Sequence, residues 1–214
     1  EHVDISDIRD LDLSDILGRH QIETDIDSIA GYLTGRRVLV TGAGGSIGSE
    51  LSRQIFRYQP AELMMLDRDE SALHAVQLSI HGRALLDSPE LILCDIRDKP
   101  ALAEVFEEHR PDVVFHAAAL KHLTMLERHP TEAIKTNVWG TVNVLEAAAA
   151  VGVSRFVNIS TDKAANAESV LGYSKLITER ITAGLAEREG RRYLSVRFGN
   201  VLGSRGSALN AFAA

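Results

Sequence analysis

A hydroxyl, a carboxylate and an amine stand side by side in Ser160-Thr161-Asp162-Lys163, and a second amine, Lys175, closes the run Leu171-Gly172-Tyr173-Ser174-Lys175. An adjacent acid and amine can give and take protons on one substrate if burial and neighbours bring their pKa values toward neutrality. In nucleotide-binding α/β enzymes, a Ser or Thr at a strand end often works with a Tyr and a Lys four residues apart on the next helix. The two then lie one above the other on a single face, and the amine stabilises the tyrosinate. Here Lys175 is present, but its partner position holds Leu171. Tyr173 is no substitute, because two helical positions turn it about 200° from Lys175.

A second group of residues could hold a phosphate. Thr41-Gly42-Ala43-Gly44-Gly45-Ser46-Ile47-Gly48 places glycines at 42, 45 and 48, between an apolar run and a helix whose apolar face is Ile47, Leu51 and Ile55. Glycines there permit a tight turn, let backbone approach a pyrophosphate, and leave the helix N-terminus facing the charge. About 20 residues on, Asp67 ends the next apolar run, where a carboxylate can accept from ribose hydroxyls and favours NAD. Arg68 beside it can pair with a 2′-phosphate, which keeps NADP open. Asp95, followed by Ile96 after the third run, is a candidate for the adenine edge; a solvated charge at a strand end is the other reading of Arg68 and Asp95.

The elements that must position these groups follow from the apolar pattern. Runs at 38–40, 63–66, 91–93, 113–115, 156–159 and 194–198 are apolar on both faces, as central parallel strands are. Amphipathic stretches at 46–59, 70–86, 99–109, 131–151 and 173–189 alternate with them, with Pro60, Gly152 and Gly190 as stops. Such alternation predicts right-handed βαβ units in a doubly wound parallel sheet, a Rossmann fold, over residues 36–214. Residues 1–35 read as an acidic lead-in arm packed on the domain, with a helix through Ile26, Ile29, Ala30 and Leu33 ended by Gly35.

The 214 residues suffice for one domain with a sizeable core. A net charge of -7 argues against nucleic acid as a partner. No apolar run is long enough to span a bilayer and the N-terminus lacks a signal-peptide pattern, so the expected setting is cytoplasmic. The single Cys94 reads as a small apolar strand residue. His116 has no spaced metal-ligand partners, so no metal is expected. Trp139 reads as packing, and Asn137 as either a helix-kink residue or an ordinary polar helix position.

Taken in order, the glycine turn, Phe115-His116-Ala117-Ala118-Ala119, Leu120-Lys121-His122, Asn137, Ser160 to Ala164 and Arg197-Phe198-Gly199-Asn200-Val201-Leu202-Gly203-Ser204-Arg205-Gly206-Ser207 resemble the extended short-chain dehydrogenase/reductase superfamily. More narrowly, residues 36–208 resemble the nucleotide-sugar 4,6-dehydratases of bacterial polysaccharide biosynthesis, the UDP-N-acetylglucosamine 4,6-dehydratase branch. The resemblance implies an enzyme that oxidises C4, eliminates water across C5 and C6, and returns hydride to C6. It implies Thr161, Asp162, Lys163 and Lys175 as catalytic residues, with Asp162 protonating the leaving C6 hydroxyl and Lys163 removing the C5 proton. Gly42, Gly45, Ser46, Ile47, Gly48, Asp67, Arg68, Asp95, Ile96, Ala117, Ala118, Ala119, Asn137, Lys175 and Asn200 would bind the dinucleotide, Lys175 at the nicotinamide ribose. Asn200 is expected near nicotinamide and Arg205 near the sugar diphosphate. Lys121-His122 either approaches the diphosphate or sugar, or is an exposed loop pair.

Long members of this branch resemble the chain in carrying an apolar residue, commonly Met, where the superfamily has its tyrosine. The arm before residue 36 resembles the connector of long, membrane-anchored members, which implies an excised piece of a protein held at the inner face of the cell membrane, itself without direct membrane contact. The resemblance further implies a UDP-sugar substrate, a sugar-binding domain largely absent from 1–214, little turnover by that stretch alone, and a homo-oligomer as one arrangement. The competing functions are a nucleotide-sugar epimerase and a non-catalytic dinucleotide-binding module.

Overall fold

The computed structural model describes residues 31–83 and 86–199. The arm before residue 31, and with it Ile26, Ile29 and Ala30, lies outside them, as do Asn200, Arg205 and the stretch after Gly199.

The described residues form a six-stranded parallel sheet of β1 (Arg37–Thr41), β2 (Glu62–Asp67), β3 (Leu91–Leu93), β4 (Val113–His116), β5 (Arg155–Thr161) and β6 (Arg192–Phe198). Their spatial order, β3-β2-β1-β4-β5-β6, reverses direction between β1 and β4, where a Rossmann sheet opens its cleft. Alternation along each strand feeds two cores. Leu39, Met64, Leu66, Val114 and Phe156 face one side, while Val38, Val40, Leu63, Met65, Val113 and Phe115 face the other. The central strands are covered on both faces, which is why they read as continuous apolar runs, whereas the edge strands β3 and β6, expected to be buried on both faces, leave Leu93, Leu194 and Phe198 exposed.

Helices α1 (Ser46–Arg57), α2 (Glu70–His81) and α3 (Lys99–His109) follow the first three strands. Asp69 caps α2 by accepting from the Ala72 N–H, and Asp98 caps α3 from Ala101. The predicted 70–86 helix stops early because Gly82 takes the left-handed conformation, φ 69°, and closes it. After β4 come α4 (Leu123–Arg128), α5 (Pro130–Ala133), a π-helical turn (Ile134–Trp139) and α6 (Gly140–Ala150). A 3-10 turn (Asp162–Ala164) and the long α7 (Val170–Glu189) follow β5. α7 starts three residues earlier than its predicted 173, because the Ser169 side chain accepts from Gly172 N–H. That extra turn puts Leu171 inside the helix. Of the arm, Leu33 is buried in the second core and Gly35, at φ 68°, ends its helical turn as predicted.

Candidate active site

The glycine turn joins β1 to α1 beneath the point where the sheet reverses. Gly42 sits at φ 69°, and a Cβ there would lie 2.6 Å from the Ala118 backbone. One on Gly48 would overlap the Gly42 carbonyl, so helix and strand pack at a separation that only glycine allows. Gly45 is the N-cap of α1 and no side chain caps that helix end, where the helix dipole favours an anion. Ser46, Ile47 and Gly48 form the first turn of that helix.

A cleft of about 140 Å³ runs above the turn, between the β2 end and the loop after β4. Of the residues predicted for a dinucleotide, Gly42, Gly45, Asp67, Arg68, Asp95, Ile96, Ala117, Ala118 and Ala119 line it. The Asp67 carboxylate is held by the Gly44 N–H at 2.9 Å and the Asp69 N–H at 3.0 Å, so its orientation is set by backbone. Asp95 accepts from Arg97 at 2.6 Å and lies 3.6 Å from Arg68. The Arg97 hydrogen bonds hold its carboxyl below the usual range despite some burial. Cys94 also lines the cleft, and burial pushes its thiol up to about 11, which leaves it unreactive.

Sequence reasoning missed Thr136. Its hydroxyl is buried in the cleft wall and has no hydrogen-bond partner among the described residues. A buried hydroxyl in that state fits a ligand group. Its signal was weak, a β-branched residue beside Asn137 in a helix.

Asn137 stands behind the wall rather than in it. Its Oδ1 accepts from Leu120 N–H at 2.8 Å, and its Nδ2 donates to Leu120 O and Ser174 Oγ, both at 3.0 Å. It therefore ties the cleft loop to α7 from within the π-helical turn. The packing role expected of Trp139, the last residue of the π turn, does not hold: Trp139 is exposed. His116 is wholly buried between Thr41 Oγ1 at 2.7 Å and Thr141 Oγ1 at 2.9 Å. Because Thr141 donates to the Asn137 carbonyl, it accepts from His116 Nε2–H, and Thr41 donates to Nδ1. Desolvation, helped by the Lys175 charge, lowers the imidazole to about 3, so it is a neutral brace.

At the β5 end the chemistry-bearing residues do converge. The Thr161 hydroxyl donates to Asp162 Oδ1 at 2.9 Å, and Lys163 Nζ donates to the same oxygen at 3.2 Å. The expectation that burial moves Asp162 toward neutrality is overturned. Asp162 is exposed, and the Thr161 and Lys163 hydrogen bonds hold it below its ordinary value. Lys175, one turn after Leu171, is buried and donates to the Ile159 carbonyl at 2.8 Å. Desolvation lowers its ammonium to about 8, opposed by Glu179. Leu171 is buried with Leu126 and Ala133, whereas Tyr173 is exposed, as the helical geometry predicted.

Glu179 was also missed. It accepts from Ser160 Oγ at 2.5 Å and takes a two-pronged contact from Arg197, at 2.9 and 2.7 Å. Among the described residues no cluster could hold a metal ion, and no helix is long and apolar enough to cross a membrane.

A family model described as "Polysaccharide biosynthesis protein" matches residues 38–214. The chain is 42% identical over 208 residues to the probable polysaccharide biosynthesis protein EpsC of Bacillus subtilis, covering 96% of this chain and 34% of that one. It is 32% identical over 182 residues to a Campylobacter jejuni UDP-N-acetylglucosamine 4,6-dehydratase (inverting), covering 83% and 53%. Among solved structures, the Stenotrophomonas maltophila UDP-glucose-4-epimerase with bound NAD and formylated UDP-arabinopyranose aligns with a TM-score of 0.65 and 28% identity, over 75% of this chain and 51% of that one. The chain thus spans between a third and about half of these relatives' lengths.

Proposed function

Since the chain belongs to the polysaccharide biosynthesis protein family and is related to nucleotide-sugar dehydratases and epimerases, we propose that it is the dinucleotide-binding and acid-base part of an NAD(P)-dependent nucleotide-sugar 4,6-dehydratase acting on a UDP-sugar. The observation that carries this reading is the Thr161–Asp162–Lys163 cluster, an acid and a base sharing one hydrogen bond beside a buried lysine.

The cleft fits the cofactor. The glycine turn leaves room for a pyrophosphate, the α1 N-terminus faces it with its dipole, the fixed Asp67 carboxylate suits two ribose hydroxyls, and the Thr136 hydroxyl has no hydrogen-bond partner among the described residues. A bound nicotinamide would supply the hydride acceptor for oxidation at C4 and the hydride donor for reduction at C6. Lys175 holds the nicotinamide ribose, and Thr161 orients the C4 hydroxyl. Leu171 cannot take that hydroxyl's proton, so it would pass from the Thr161 hydroxyl through the exposed Asp162 carboxylate to solvent, and the rest of the acid-base work falls to Asp162, Lys163 and Lys175.

Elimination needs Lys163 neutral to remove the C5 proton and Asp162 protonated to protonate the departing C6 hydroxyl. In water the pair is an ammonium and a carboxylate. Moving one proton along their 3.2 Å hydrogen bond produces the amine and the acid without changing the pair's total charge. Covering by substrate favours that uncharged form, because desolvation penalises ions. The exposed, ionised Asp162 of the open site is thus the resting state of the acid.

The test uses the longest natural chain that contains these residues, incubated with UDP-N-acetylglucosamine and NAD. A 4-keto-6-deoxy product is expected; unchanged sugar in the presence of bound cofactor counts against the proposal. The epimerase reading is favoured by the NAD-bound epimerase likeness. It is separated by solvent deuterium, which enters C5 on elimination but not on epimerisation at C4.

A further inference from the structure

Three elements meet at Glu179. It projects from α7 one turn beyond Lys175, receives the Ser160 hydroxyl from β5 at 2.5 Å, and pairs with Arg197 of β6 through both carboxylate oxygens. Its side chain is 13% exposed, against 44% for Arg197. The ion pair is therefore shielded on one side only. Ser160 immediately precedes Thr161, so whatever fixes Ser160 fixes the strand end that carries the acid-base cluster.

We infer that Glu179 is a positioning residue of the active site: it holds the β5 end against α7, and it acts as the counter-charge that keeps Lys175 cationic beside the cofactor. Arg197 tempers that field by pairing with Glu179. The inference rests on the catalytic reading of the β5 end.

Glu179 is the charge that opposes the desolvation of Lys175. Among the described residues, the other elements around α7 offer Lys175 no second counter-ion. His116 on β4 is neutral and sealed between two threonines. Asp162 and Lys163 at the 3-10 turn pair with each other. Glu127 of α4 accepts the Val170 N–H, and Lys135 of the π turn pairs with Glu132. Asn137 and Thr141 are not ionisable.

The two members of the pair should therefore act on Lys175 with opposite sign. Glu179→Gln removes the anion and leaves Arg197, so Lys175 loses its proton at lower pH. Arg197→Gln leaves an untempered anion and moves that loss upward. The experiment is an NADH titration by fluorescence between about pH 6 and pH 10, spanning the lysine's shifted range. For the unaltered protein the alkaline limb of affinity should centre near 8, where Lys175 loses its proton. Glu179→Gln should move it down by about one unit and Arg197→Gln up by roughly half a unit. Glu179→Asp should restore part of the shift.

A merely structural bridge predicts weaker binding in both variants and an unmoved limb. Movement of both limbs in the same direction, or of neither, overturns the inference. If Glu179→Gln fails to fold, Glu179→Asp against Arg197→Gln supplies the same comparison. Asp162→Asn separates this from the catalytic reading: if it retains turnover while the limbs split, the reading fails and the role of Glu179 toward Lys175 stands. Lost turnover with unsplit limbs gives the reverse.

Discussion

The two halves of the site are built from different materials. Below the β1–β4 opening, the cofactor half depends on backbone: a left-handed Gly42, the close pass of Gly48, and an Asp67 aimed by two N–H groups. Above β5, the proposed catalytic half depends on side chains: an exposed Asp162 between half-buried Thr161 and Lys163, resting on buried Ser160 and Lys175 and half-buried Glu179. A backbone site is either formed or not. A side-chain site is adjustable, which is how one fold carries several sugar chemistries.

The sharpest way to break that contrast is to remove chemistry without touching binding. Asp162→Asn and Lys163→Ala should each lower dehydratase turnover by about 10³-fold or more, with NADH affinity unchanged within about twofold. Unchanged turnover would remove the acid and base roles. The converse change is Gly48→Val. Its side chain would collide with the Gly42 carbonyl, and backbone cannot move aside without opening the turn. We expect cofactor affinity to fall by about 100-fold and stability by more than about 3 kcal/mol, read by NADH titration and urea denaturation. Tight NADH binding by that variant would mean the glycine turn is not where the pyrophosphate sits.

The same contrast explains what the sequence disclosed. Central strands buried on both faces are apolar throughout and the edge strands β3 and β6 keep short apolar runs, so all six were legible, and the glycine turn was legible because its demands fall on residue type. The β5 cluster was legible only as a list of neighbours. Nothing in Asp162 itself says whether its turn is covered, and the expectation of burial failed for that reason. The π turn at 134–139 interrupts the helix expected over 131–151, and its Asn137 reaches Leu120 and Ser174, partners that a helical pattern does not disclose. Glu179 could have been found, since it repeats the four-residue spacing of Leu171 and Lys175 on one helical face.

His116 joins the halves, bridging β1 to α6, and it gives a smaller, pH-dependent test. Its native value near 3 lies below the ordinary 6.5, so between those limits the unfolded chain binds a proton that the native protein does not. Stability from this group is complete above pH 6.5 and is lost as pH falls toward 3, by about 1.4 kcal/mol per pH unit. Urea denaturation at pH 7 and pH 5 should show that slope, and His116→Gln should flatten it. An unchanged slope in the variant would assign the acid sensitivity to carboxylates alone.

The smallest expected effect bears on the missing phenol. Leu171 fills a pocket with Leu126 and Ala133, walled by Leu120 and Val170, so its place on the Lys175 face is occupied by packing. Leu171→Met conserves volume and should cost less than about 1.5 kcal/mol, with turnover within about threefold of the parent. Leu171→Tyr must fit a ring and a hydroxyl into a space closed by apolar groups, at about 1–3 kcal/mol. If the acid-base work belongs to Thr161, Asp162 and Lys163, the added phenol brings no gain in rate, because the C4 proton already has a route. A rate increase in Leu171→Tyr, seen in single-turnover hydride transfer at matched stability, would show that oxidation at C4 is limited by the absent tyrosine and that the side-chain half is less complete than its hydrogen bonds imply.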